Sequence, residues 1–298
     1  MIRKTIVFTS FVLVSSTLSF SQQVLSYSQY SLNKYLINPA AAGCESYIPI
    51  MAAYKQYWSG IDGAPTLADA SVSGLFSNRT GLGARIFDYT TGALTKSGME
   101  ATYAYHLPLN SNGSSLSFGL SAVLYQEYID RSKLNLENPN DPLFSTDKEV
   151  VPDFNFGVYY YSKRAYAGVA IYSLLGQNVD LMNKALKNTQ QQNIFITAGY
   201  DIPVADQFSI EPSFFVKMVP TGVYQVDASV KFNYNGLWIG GGYRTNDAIY
   251  VFVGMKKKNI IFGYSYDMVV SGLSNYTNGS HEIIFGYTIN NSKPKLLN

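Results

Sequence analysis

From residue 259 to residue 289 the chain alternates between two kinds of side chain. Ile260, Phe262, Tyr264, Tyr266 and Met268 fall on one parity, and Ile261, Gly263, Ser265 and Asp267 on the other. After a connecting run the alternation resumes, with His281, Ile283, Phe285, Tyr287 and Ile289 set against Glu282, Ile284, Gly286 and Thr288. Side chains of a strand point to opposite faces with period two, so each run predicts one greasy face and one small or polar face. A sheet with lipid on one side and a wet or packed interior on the other needs that asymmetry. A soluble sandwich alternates too, so the number of repeats and the placement of the loops must decide between them.

The same pattern recurs upstream. Leu116, Phe118, Leu120, Ala122 and Leu124 oppose Ser115, Ser117, Gly119 and Ser121, and Phe154, Phe156, Val158 and Tyr160 oppose Asp153, Asn155 and Gly157. Phe208, Ile210, Phe214, Val216 and Met218 oppose Ser209, Glu211, Ser213 and Lys217. Tyr224, Val226, Ala228, Val230 and Phe232 oppose Gln225, Asp227, Ser229 and Lys231. About fourteen strands are expected, at 47–58, 66–77, 80–89, 95–107, 115–129, 153–162, 165–173, 193–201, 207–218, 223–232, 235–244, 247–255, 258–268 and 279–289, each roughly long enough to cross a bilayer when tilted. Tyr250 and Phe252 alternate with Ile249, Val251 and Val253, so the inner side of that strand is expected to be packed.

The connections sort by parity. Even ones are tight or modest, as at Asn78-Arg79, Lys163-Arg164, Asn233-Tyr234 and Lys256-Lys257. The three longest, 130–152, 174–192 and 269–278, are all odd and therefore share one rim. Short periplasmic turns with long extracellular loops are the rule for outer-membrane barrels, and a sandwich has no reason to sort loops this way. The predicted fold is all-β, a transmembrane antiparallel up-and-down barrel over 47–289, with a polar tail at 290–298 and an N-terminal periplasmic arm at 22–46. Fourteen strands enclose more space than their own side chains fill. Part of the arm or the 130–152 loop is therefore expected to fold inward and block the lumen. Inward glycines, among them Gly119, Gly157, Gly199, Gly240, Gly242, Gly263 and Gly286, are expected to relieve crowding there.

Composition agrees with this reading. Of 298 residues only 14% are charged, while 25 are Tyr and 17 Phe, as aromatic girdles require. A formal net charge of +2 offers nothing to nucleic acid. No stretch after the N-terminus is long and apolar enough for a membrane-spanning helix, so a bilayer protein of this sequence must be a closed barrel. Arg3 and Lys4 followed by the apolar run 5–18, with Ser19 and Ser21 before Gln22, read as a secretory signal peptide over 1–21. Cys44, the single cysteine, excludes an intramolecular disulfide and lies too far downstream to be lipidated.

Catalytic signals are weak, and the chain is expected not to be an enzyme. His106 and His281 lie far apart, near strand ends, and neither forms a nucleophile–base motif, so rim or girdle positions are expected. Gly240-Gly241-Gly242 sits inside a strand and opens no helix. Lys256, Lys257 and Lys258 are expected to mark a periplasmic turn. Asp201, Asp227 and Asp267 are expected to face the lumen together with Lys217 and Lys231, as paired charges lining the barrel. Asp141, Asp147 and Asp153 lack the ligand spacing of a calcium loop. No cofactor is expected.

Two stretches carry a resemblance. The first is Tyr27-Ser28-Gln29-Tyr30, then Asn38-Pro39-Ala40 and Gly43, leading to Lys55, Trp58 and Gly63-Ala64-Pro65. The second is Gly263-Tyr264-Ser265-Tyr266-Asp267, then Ser271-Gly272-Leu273-Ser274-Asn275-Tyr276 and Gly279-Ser280-His281-Glu282-Ile283. Together they resemble the PorP/SprF family of type IX secretion system outer-membrane proteins of the Bacteroidota. The resemblance implies a barrel that works with the type IX translocon and holds a secreted adhesin, through its type B C-terminal sorting domain, at the cell surface, in some members for gliding motility. It also implies contact with periplasmic peptidoglycan-associated components. The polar tail departs from the usual aromatic closing residue of outer-membrane barrels.

On this reading the three long loops form an outer docking rim, and the arm and short turns face periplasmic partners. Phe144, Tyr172 and Tyr276 are the expected aromatic anchors, with Ser271, Gly272, Leu273 and Asn275 beside them. A channel or hydrophobic-solute transporter is the alternative, and a barrel hydrolase a third possibility.

Overall fold

A computed structural model describes residues 26–110, 113–134, 148–181, 186–220 and 222–290. Strands β1 (Tyr47–Gln56), β2 (Thr66–Ser77), β3 (Thr80–Thr91), β4 (Leu94–Pro108), β5 (Ser115–Ile129), β6 (Lys148–Tyr161) and β7 (Ala165–Tyr172) pair in chain order as antiparallel neighbours. A short hairpin, β8 (Asn178–Leu181) and β9 (Leu186–Thr189), follows. The wall then continues through β10 (Asn193–Tyr200), β11 (Ile202–Ala205), β12 (Phe208–Met218), β13 (Tyr224–Tyr234), β14 (Leu237–Arg244), β15 (Ala248–Lys257), β16 (Ile260–Val269) and β17 (Ser280–Asn290). β1 pairs with β17 in the register Tyr47↔Asn290 to Gln56↔His281, and this contact closes the ring. Both β10 and β11 pair with β12, with a break at Asp201 and a bulge between Pro203 and Ala205, so they form one stave and the barrel has fourteen. Closure leaves the wall no open edge, so each of its fourteen staves has a partner on both sides.

Burial follows the two parities. Ile283, Phe285, Tyr287 and Ile289 point outward and are exposed, while Glu282, Ile284 and Thr288 are buried inside. Exposed apolar side chains such as Ile86, Met99, Leu120, Ile239 and Val251 belong to strands all around the ring. In water such a belt would drive aggregation, whereas in a bilayer it is the lipid contact. Outward tyrosines edge the belt at both ends, with Tyr54, Tyr224 and Tyr243 toward one rim and Tyr105, Tyr234 and Tyr287 toward the other. Inside, Tyr250 and Phe252 stack with ring centroids 6.1 Å apart, so the inner side of β15 is packed as expected.

The long connections 130–147, 173–192 and 270–279 all leave one rim, together with 57–65 and 219–223. The opposite rim carries two-residue turns at 78–79, 206–207, 235–236 and 258–259. Several boundaries differ from expectation. The turns expected at Asn233-Tyr234 and Lys256-Lys257 lie at 235–236 and 258–259, because β13 runs on to Tyr234 and β15 to Lys257. β6 begins at Lys148, because Val150 and Val151 already alternate, Val150 exposed and Val151 buried. β11 extends its stave after the break at Asp201, which reduces an apparent loop to a tight turn. The 174–192 connection contains the β8–β9 hairpin, which lies beside β6 and β5.

Of the two segments expected to fold inward, the arm is the one that, among the described residues, fills the lumen, so its placement on the periplasmic side is corrected. Residues 26–46 run inside the barrel and do not lie outside it on the periplasmic side. The chain passes from Ser26, level with the extracellular ends of the strands, down to the periplasmic start of β1, through three single-turn 3-10 helices, Tyr30–Leu32, Lys34–Leu36 and Pro39–Ala41. Tyr27, Tyr30, Tyr35, Ile37 and Ala40 are buried. The physical reason is volume, since a fourteen-stave lumen would otherwise be wet. The signal-peptide residues, the 135–147 part of the long loop and the polar tail at 291–298 lie outside the described residues.

Candidate functional site: a plugged lumen beneath an extracellular rim

The plug is held at three levels. Near the extracellular end, the Ser28 and Gln29 backbone N–H groups donate to the Glu282 carboxylate at 2.6 and 3.0 Å. The Ser28 hydroxyl donates to Asp267 at 2.7 Å and accepts from Lys55 Nζ at 2.6 Å and Arg244 Nη2 at 2.8 Å. Lys55 Nζ is 2.7 Å from Asp267 and 3.5 Å from Glu282. Arg244 bridges Asp227, Asp247 and Asp267 at 2.9, 3.2 and 3.0 Å. Lys217 Nζ donates to the Ser26 hydroxyl at 2.8 Å, and Tyr27 donates to Asp69 at 2.6 Å. Buried charges persist only when paired and hydrogen-bonded, and here the plug's own polar groups complete the pairing.

At mid-depth, Tyr30 packs on Phe215 with centroids 5.1 Å apart and reaches the Ser213 and Ser229 hydroxyls. Tyr35 meets Thr102 at 2.7 Å, and Asn33 donates to Ser71 at 2.9 Å. Toward the periplasm, Asn38 Nδ2 donates to the Val158 and Val169 carbonyls at 3.1 and 3.3 Å, and its Oδ1 caps the Pro39–Ala41 turn through Ala40 N–H at 2.9 Å. Ser117 donates to Ala40 O at 2.6 Å, and His106 Nε2 lies 2.9 Å from Ala42 O. The wall glycines make this seat: a Cβ at Gly119 would stand 2.3 Å from Ala40 N, and one at Gly157 2.1 Å from Asn38 Oδ1. Gly240, Gly242 and Gly199 make room instead for neighbouring aromatic rings, those of Phe252, Tyr250 and Tyr166.

Above the plug, on the β2–β7 side, lies a cavity of about 320 Å³. Its floor includes Tyr27, Leu36 and Ile37 of the plug. Its walls come from the extracellular halves of the strands, so it faces outward.

Two rim loops clasp each other. Ser59 N–H donates to Gly279 O, and Asn278 N–H to Ser59 O, each at 2.7 Å. Trp58 N–H donates to the Ser280 hydroxyl at 3.1 Å. Gly279 has φ +89°, and Tyr266 would crowd any side chain there, so the turn into β17 needs glycine. Ser271, Gly272, Leu273, Asn275 and Tyr276 form a turn stitched by Ser274 N–H to Ser271 O and Tyr276 N–H to Leu273 O, both 2.9 Å. Tyr276 stands out at 74% exposed.

The singled-out residues thus fall into three places. Asn38, Pro39, Ala40 and Gly43 belong to the plug seat, with Glu282 gripping the plug's other end. Trp58, Gly279 and the 271–276 turn belong to the rim. Tyr172 is not a rim anchor: it turns inward, donates to Leu36 O at 3.1 Å and packs on Phe195 at 4.8 Å. The reason is parity, since position 172 lies on the lumen face of β7. Phe144 lies outside the described residues. His106 is also not at a girdle; it is fully buried on the lumen face, bonded to the plug and 2.9 Å from Tyr161. His281 faces outward beside Tyr264 at 2.7 Å. Asp153 lines the cavity on β6, so it shares no loop with Asp141 and Asp147, which lie outside the described residues. Arg244, Asp247 and Asp69 were not evident as partners in the sequence. Only their inward parity marks them.

The fold and its lumen define an outer-membrane β-barrel closed by its own N-terminal segment. The chain belongs to the PorP/SprF family of type IX secretion system membrane proteins, whose profile matches residues 19–287. It is therefore an outer-membrane component of that secretion system, and the family implies association with other secretion-system parts. No curated protein sequence matches the chain. Among solved structures, the toluene transporter TbuX of Ralstonia pickettii is similar at 10% identity, with 86% of this chain and 92% of that one aligned and a TM-score of 0.50. The deltaS2 mutant of TodX, a monoaromatic hydrocarbon channel, is similar at 10% identity, with 87% and 94% aligned and a TM-score of 0.50. At that identity the likeness concerns the fold.

Proposed function

We propose that the protein is a non-enzymatic docking barrel that anchors a secreted adhesin at the cell surface through its C-terminal sorting domain. In a motile cell this anchorage would transmit gliding force. The observation that carries the reading is the rim: two loops rich in family motif residues brace each other and present Leu273 and Tyr276 outward. Exposed aromatic groups on a rigid support are what a protein–protein contact uses. The plugged lumen supports anchorage over free passage. The opposite rim, with Arg79, Lys163, Arg164 and Lys258 in its short turns and Lys256 and Lys257 at the end of β15, offers a basic face to periplasmic peptidoglycan-associated components. The test is a double substitution, Leu273→Ser with Tyr276→Ser. Surface display of the secreted protein should fall while the barrel still shows the heat-dependent gel migration of a folded barrel. Undiminished display would refute the reading.

A second reading, passage of a small apolar solute, draws on the aromatic walls of the 320 Å³ cavity and on the hydrocarbon transport ascribed to TbuX and TodX. It requires the plug to move. Uptake of toluene into vesicles holding the wild-type protein would favour it.

A further inference from the structure

The outward cavity has a chemistry of its own. Besides Tyr27 of the floor, six rings line it: Phe87, Tyr89, Tyr125, Tyr172, Phe195 and Phe215. Its charges do not balance. Arg85 is already shared between Asp69 at 2.5 Å and Glu100 at 3.4 Å, and Lys96 lies 3.5 Å from Glu127. Asp153, almost fully buried in the cavity wall, accepts only backbone N–H groups, from Phe154 at 2.7 Å and Leu175 at 3.1 Å, among the described residues. Arg85, Lys96, Glu100 and Asp153 line the cavity, with Asp69 and Glu127 behind its wall, so among the described residues four carboxylates surround two cations.

Hydrogen-bond capacity is left over as well. Tyr125, 2% exposed, has a hydroxyl with no partner among the described residues, as do Glu127 Oε2 and Asn193 Oδ1. Two of these three atoms can only accept. Buried acceptors without donors are costly, so a donor group that reached the wall around Tyr125 would relieve them. The wall also demonstrates its affinity for positive charge, because Lys96 Nζ sits 3.7 Å from the Tyr125 ring centroid. Aromatic faces with a nearby carboxylate attract ammonium and guanidinium groups, more strongly once desolvated.

We propose that this vestibule receives one cationic side chain, an arginine or lysine, from a peptide presented at the cell exterior. That the carrier is a peptide rests on the docking function above; the preference for a cation does not. The guanidinium or ammonium group would lie among the rings, donating to Asp153, while the plug closes the floor.

The test is calorimetric titration of the detergent-solubilised full-length protein with N-acetyl-arginine amide and its neutral isostere N-acetyl-citrulline amide. The arginine compound should bind, and the citrulline compound at least about tenfold more weakly. Asp153→Asn should weaken the arginine probe about tenfold. Lys96→Met, which removes the competing cation, should tighten it. Equal binding of the two probes, binding of neither, no effect of Asp153→Asn, or displacement of the arginine probe by a neutral saccharide such as maltose would each overturn the proposal. The Leu273→Ser, Tyr276→Ser variant separates the two ideas. If the docking reading alone is wrong, the variant keeps its secreted partner and probe binding is still seen. If the pocket alone is wrong, display is lost and no probe binds.

Discussion

Glu282→Ala should unseat the plug without unfolding the barrel. Among the described residues, the carboxylate accepts the only hydrogen bonds that the Ser28 and Gln29 backbone N–H groups make. A hydrogen bond to a charged acceptor contributes roughly 1.5–3 kcal/mol, so losing two would cost about 3–6 kcal/mol if nothing replaced them. Water from the outward cavity can recover part, which leaves a net loss of about 3 kcal/mol. At about 1.4 kcal/mol per factor of ten, the unseated population rises roughly 150-fold. The substitution strands no charge. Asp227, Asp247, Asp267 and Glu282 face Lys55, Arg244 and Lys217 in this cluster, so three carboxylates would still meet three cations. The β17 backbone ladder to β1 and β16 is untouched. In planar bilayers the wild-type protein should be almost silent, and the variant should show transient openings. Glu282→Gln, which keeps one acceptor oxygen, should lie between them. A variant as silent as wild type, with residues 26–46 equally resistant to protease, would refute the idea that this carboxylate holds the plug.

Gly119→Val should displace the plug's lower half, because a Cβ there meets Ala40 backbone; increased conductance with normal heat-dependent migration is expected. Lys55→Met leaves Asp267 and Glu282 short of their buried cation and should cost about 3–5 kcal/mol, read as a lower midpoint of thermal unfolding in detergent. Burial, with Glu45 adding, pushes the Cys44 thiol up to about 12. Thiolate is the reactive form, so at pH 8 alkylation by iodoacetamide should run about a hundred- to a thousand-fold slower than in the unfolded chain, and Gly119→Val should restore part of the rate. Equal rates in folded and unfolded protein would show that Cys44 is not held in the plug.

Much of the barrel was legible in the sequence because a lipid-facing wall imposes a binary choice at every second residue. Phe285 must be greasy and Gly286 need not be, so strand positions and parity follow directly. Loop sorting is legible for a similar reason, since each odd connection returns to the same rim. The hairpin at 178–189 was not legible, because a strand that does not face lipid loses the alternation. Tyr172 shows the limit of composition: an aromatic residue at a strand end suits a docking rim or an inner wall equally, and one residue of register decides which.

The sequence alone determined a closed wall with its long loops on one side, since both properties are periodic and local. Only the tertiary structure decided that Tyr27 to Gly43 fills the space within. Small and polar inward residues accept many occupants, and the pair that selects this one, Ser28 and Glu282, is 254 positions apart in the chain. Such contacts leave no local signal, because each side chain would satisfy the period-two rule without its partner.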